Sequence, residues 1–62
     1  MLYQLRVDDQ AVNEYLTYEE AIREAQDYAA TGHRAVVVAV EQSGTYESRT
    51  VVWPTRGETV TA

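Results

Sequence analysis

The stretch RAVVVAVE, Arg34 to Glu41, sets six consecutive small or branched apolar residues between two charges. Valine is branched at Cβ, stiff in a helix and well suited to a pleated surface, so the run reads as a strand. A strand with one face in water alternates apolar and polar residues; this one does not, so both of its faces call for apolar neighbours. A chain of 62 residues makes one domain with room for a single helix, and a helix covers only one face of a sheet. One apolar sheet face is therefore left over.

The rest of the chain supplies the sheet. Leu2 to Val7 alternates, with Tyr3, Leu5 and Val7 on one side and Gln4 and Arg6 on the other. Asp8, Asp9 and Gln10 break the pattern, and aspartate is a turn former, so a hairpin into a second strand, Ala11 to Leu16, is expected. Thr17-Tyr18-Glu19-Glu20 has the form of a capping box, with Thr17 and Glu20 bonding each other's amides. It opens a helix over Tyr18 to Ala30 whose apolar positions, Tyr18, Ala21, Ile22, Ala25, Tyr28 and Ala29, share one face. Gly32 provides the left-handed residue that ends it, and His33 is placed to pack back on Tyr28.

Gln42-Ser43-Gly44 suggests a three-residue hairpin loop between Arg34 to Glu41 and a fourth strand, Tyr46 to Trp53. That loop sets Glu41 opposite Thr45, Val40 opposite Tyr46 and Val38 opposite Ser48. Ala35, Val37, Ala39, Val51 and Trp53 then share the other face. Pro54, which has no amide to donate, stops the ladder. The expected fold is α+β: a four-stranded antiparallel sheet in ββαββ order, residues 1–54, with one helix packed on one face. Residues 55–62 read as a polar C-terminal tail in which Thr59-Val60-Thr61 could add an edge strand.

Composition narrows the function classes. Domains this small often recruit disulfides, a metal or a second copy to supplement a thin core. The chain has no cysteine and one histidine, which removes disulfides and a Cys/His zinc site and leaves oligomerisation. Ten acidic residues against five arginines give a formal charge of -5, a sign that repels phosphate backbones. A sheet bearing Tyr3, Tyr15, Arg6 and Arg49 is the arrangement an RNA binder would use, but the charge opposes it and no RNP-like run is present. No apolar run reaches the ~20 residues of a membrane span, and MLYQLRVDD lacks a signal-peptide core, so a cytoplasmic setting is expected.

For catalysis the inventory is poor, because His33 reads as a helix cap and Asp8-Asp9 as a turn rather than a cation loop. The chain is read as a non-enzyme without cofactor or metal. What it offers is surface. The left-over sheet face, assigned to Ala35, Val37, Ala39, Val51 and Trp53, is a candidate interface for a second copy or another protein, unless the tail folds over it. The helix face bearing Glu19, Glu20, Glu24 and Asp27 is a candidate acidic binding face, able to present carboxylates to a basic protein much as a duplex presents phosphates.

In size, charge and layout, the run TYEEAIREAQDYAATGHRAVVVAV resembles the small acidic accessory proteins of bacteriophages, among them host-takeover and anti-CRISPR proteins. That resemblance implies binding and blocking of a host protein in the host cytoplasm, and carries over no individual residue. The alternative is a homodimeric structural or regulatory domain without an inhibitory role.

Overall fold

A computed structural model describes Met1 to Pro54, so the expectation of a tail strand at Thr59-Val60-Thr61 lies outside the described residues. The elements are β1 (Leu2–Val7), β2 (Gln10–Tyr15), α1 (Tyr18–Ala30), β3 (Ala35–Ser43) and β4 (Tyr46–Trp53). The strands form one antiparallel sheet in the order β2-β1-β3-β4. The architecture is thus the expected α+β, with ββαββ order.

The β1-β2 hairpin turns on Asp8 and Asp9 alone, at φ 52° and 72°, with Val7 paired to Gln10. Two consecutive left-handed residues make a type I′ turn, which twists with the strands; aspartate tolerates that region because its short side chain bonds locally. Farther along, Leu5 pairs with Asn13 and Arg6 with Ala11, so Val12 is the extra residue of a bulge.

α1 begins where expected. The Glu20 amide donates to Thr17 Oγ1 at 3.3 Å; among the described residues no bond returns from the Glu20 carboxylate to the Thr17 amide, so half of the capping box forms. The helix ends in a Schellman motif. The His33 amide donates to Tyr28 O and the Gly32 amide to Ala29 O, both at 3.1 Å, with Gly32 at φ 94°. The His33 ring meets the Tyr28 ring edge-on, centroids 5.9 Å apart.

The β3-β4 loop differs from expectation. Ser43 pairs with Tyr46, leaving Gly44 and Thr45 as a two-residue loop with Gly44 at φ 63°, the pattern of a type II′ turn with glycine first. Val40 consequently faces Arg49 instead of Tyr46. That displacement is odd, and side chains alternate with period two, so β4 is turned over relative to the expected register. A bulge at Val52 reverses the effect at the end of the strand: Val38 pairs with Val51, yet Val37 pairs with Trp53.

Which sheet face the helix covers is decided by β1. Its apolar side carries Tyr3, Leu5 and Val7, while its other side carries Leu2, Gln4 and Arg6. Leu5 pairs with Val37 and Val7 with Ala35, which puts Ala35 and Val37 on the more apolar face. The helix settles there, because covering Gln4 and Arg6 would desolvate polar groups for less apolar area. Leu5, Val7, Ala21, Ala25, Ala35 and Val37 form the core, with Tyr3, Tyr15, Ile22, Val52 and Trp53 packed around it. Leu5, Val37, Ala21 and Ala25 have no exposed surface; the two alanines let the helix lie close on the sheet.

The assignment of Ala35, Val37 and Trp53 to the uncovered face is therefore corrected: all three lie under or beside the helix. Ala39 is half-buried on the same side, and Val51 sits on the opposite face.

Candidate protein interface

The face without a helix is built by alternate residues of all four strands. Reading across the ladder, Glu14, Gln4, Val38 and Val51 make one row; Leu2, Val40 and Arg49 make the row above it; Ala11, Arg6 and Val36 make the row below. Among the described residues no secondary-structure element lies over these rows. The centre is nevertheless dry: Val38 is only 7% exposed, walled in by its neighbours across and along the strands. Leu2, Val36 and Val40 are half-buried and Val51 is exposed.

A polar rim surrounds this apolar stripe. Arg6 Nη1 donates to Gln4 Oε1 at 3.3 Å and its Nη2 to the Asp9 carbonyl at 2.9 Å. At the far edge Arg49 Nε donates to Glu47 Oε2 at 2.8 Å, and Gln42 Nε2 to Glu47 Oε1 at 3.4 Å. Toward the β3-β4 hairpin the face dips into a shallow depression with Leu2 and Val40 in it, bordered by Glu14, Gln42, Glu47 and Arg49. An apolar centre inside a charged rim is the anatomy of a protein interface.

The acidic helix surface stands on the other side of the molecule. Glu19, Glu20 and Asp27 are exposed and Glu24 is half-buried. Glu19 with Arg23 and Arg23 with Asp27 have helix-neighbour spacing, yet among the described residues the ion pairs are Asp8 with His33 and Glu47 with Arg49. The helix carboxylates thus make no ion pair among the described residues. Glu20, Arg23 and Glu24 line a shallow cleft with Tyr15. Burial pushes the Tyr15 hydroxyl above its ordinary pKa and the carboxylates of Glu24 and Glu20 add to the rise, opposed by the Asn13 amide that donates to its oxygen at 3.2 Å.

The four residues an RNA-binding sheet would need are separated. Tyr3 and Tyr15 pair with each other on the helix-covered side, with Tyr3 stacked edge-on against Tyr18 at 5.8 Å. Arg6 and Arg49 lie on the open side.

One cluster escaped the sequence reading. Asp8 Oδ2 lies 2.9 Å from His33 Nδ1, Asp8 Oδ1 accepts the Arg34 amide at 3.1 Å, and the Asp8 amide donates to the Arg34 carbonyl at 2.9 Å. These bonds hold the Asp8 carboxyl below its ordinary pKa, the Arg34 amide contributing most and His33 next. Asp8-Asp9 signalled a turn; its partner 25 residues on left no local trace.

Among the described residues no group of three His, Cys, Asp or Glu is placed to hold a metal, and no helix is long and apolar enough to cross a membrane. No family model, no curated protein and no solved structure matches the chain. The fold and its surfaces carry the functional reading by themselves.

Proposed function

We propose that the chain is a non-catalytic protein-binding module. The observation that carries this reading is the second sheet face: Leu2, Val36, Val38, Val40 and Val51 form an apolar stripe with a charged rim and no covering element among the described residues. Leaving such a stripe in water costs free energy that a partner recovers. The polar groups support binding over chemistry, since Asp8 and His33 are engaged in joining two loops and among the described residues no nucleophile is bonded to a base.

In its fuller form the module is an acidic accessory protein of the bacteriophage type, acting in the host cytoplasm by occupying a basic host protein through Glu19, Glu20, Glu24 and Asp27. The exposure of Glu19, Glu20 and Asp27, which make no ion pair among the described residues, favours this form. The alternative is a homodimeric structural or regulatory domain that inhibits nothing, and the open sheet face is equally suited to it.

The test is capture of partners from lysate by the tagged chain, repeated with Glu20→Arg, Glu24→Arg and Asp27→Arg combined and separately with Val51→Glu. Loss of a reproducible partner with the helix variant supports the acidic face; loss with Val51→Glu supports the sheet face. Identical capture by both variants and wild type would refute both surfaces, and no reproducible partner together with a strictly monomeric chain would refute the reading.

A further inference from the structure

We infer that the occupant of the open sheet face is a second copy of this chain, packed face to face about a two-fold axis that runs parallel to the strands in the plane between the two sheets, over the seam of β1 and β3. The inference rests on reading that face as a binding surface and adds its partner and geometry.

Charge selects the partner. The chain carries a formal charge of -5, and the exposed side of α1 concentrates that sign, so two copies repel across most of their surface. The open face differs: Arg6 and Arg49 stand against Glu14 and Glu47 around an apolar centre. It is where two copies meet without net repulsion.

Charge also selects the axis. The sheet order β2-β1-β3-β4 places Glu14 at one edge of the face and Arg49 at the other. An axis along the strands lays β2 over the second copy's β4, and β1 over its β3. Leu2 then meets Val40 and Gln4 meets Val38, while Glu14 lies over Val51 of the other copy, one row from its Arg49, a diagonal that the two long side chains span on both sides of the axis. An in-plane axis across the strands would lay each strand on itself, so that Glu14 faces only β2 and Arg49 only β4 and the two never meet. Only the first arrangement is electrostatically self-complementary.

Four strands about 4.8 Å apart and ladders of about six residues at about 3.3 Å each give a patch of roughly 400 Å² in projection. Side-chain relief enlarges it toward the low end of specific interfaces, the size class of weak and transient associations.

The experiment is sedimentation velocity and equilibrium on the full chain from about 10 μM to 1 mM, with Glu14→Arg, Arg49→Glu and the double exchange in parallel. Both positions are exposed, and circular dichroism verifies that each variant folds. Wild type is expected to move from 7.0 kDa toward twice that mass. Each single reversal should weaken association about tenfold or more, and the double exchange should restore it. A wild-type monomer throughout the range overturns the inference. So does a dimer indifferent to the single reversals, or one that the double exchange does not rescue. Lysate capture by the acidic helix is read separately, so a monomer that still binds a partner refutes the second copy and spares the binding module.

Discussion

Asp8 and His33, 25 residues apart in sequence, meet through Oδ2 and Nδ1 at 2.9 Å and join the β1-β2 turn to the end of α1. The Asp8 carboxyl has a lowered pKa, chiefly through the Arg34 amide and then through His33. A carboxyl whose folded pKa lies below its unfolded value stabilises the fold fully above the unfolded value, near 3.9, and loses that contribution as pH falls through the folded value. Asp8→Asn keeps the left-handed turn but removes the charge. Its melting temperature should lie below wild type at about pH 5, and the gap should close toward pH 2. Thermal melts across that range check this; a gap that persists at the acid end contradicts it.

The adjoining residue tests the turn itself. Asp9 sits at φ 72° as the second residue of a type I′ turn, where glycine is the preferred occupant. Asp9→Gly should raise stability by about 0.5–1 kcal/mol, and Asp9→Val should lower it by about 1 kcal/mol or more. Urea denaturation with unchanged m-values would verify both signs.

Core and open face respond differently to truncation. Leu5 has no exposed surface and touches the helix alanines through the shared core, so Leu5→Ala should cost about 2–5 kcal/mol, much of the total expected for a domain this small. Val51→Ala, at an exposed position of the other face, should cost the monomer under about 1 kcal/mol. Chemical denaturation at low micromolar concentration separates the two; comparable losses would mean that the open face is also core.

At the start of α1, Thr17→Ala removes the one capping bond observed, from the Glu20 amide. It should destabilise the fold by about 1 kcal/mol, whereas Glu20→Gln, whose carboxylate makes no return bond, should change stability by less than about 0.5 kcal/mol. Equal losses would show that the full capping box forms in solution.

Local rules made much of this molecule legible. The helix limits, the Schellman closure on Gly32 and the packing of His33 on Tyr28 are each written within a few neighbouring residues. Strand β4 could be bounded by Pro54. What could not be read is what depends on pairing at a distance. A two-residue loop at Gly44-Thr45 replaced the expected three-residue one, and that odd displacement moved Val51 to the other side of the sheet, while the bulge at Val52 kept Trp53 beside Val37. The left-over apolar face follows from the unbroken run of Ala35 to Val40, but of the residues assigned to it only Val51 stands there, while Ala35, Val37, Ala39 and Trp53 lie on the helix side. The apolar side of β1 was visible in Tyr3, Leu5 and Val7; pairing Leu5 with Val37 is the step that assigns the helix to that side.

In the proposed reading Leu2, Val36, Val40 and Val51 meet another protein surface, while Leu5, Val7 and Val37 stay within the helix-covered core. Methyl NMR across a concentration series reads both groups in one sample. The methyl signals of the first group should move with concentration and those of the second stay fixed. If the open-face methyls stay fixed from micromolar to millimolar concentration and also on addition of the captured partner, the face binds nothing and the proposed binding surface is refuted.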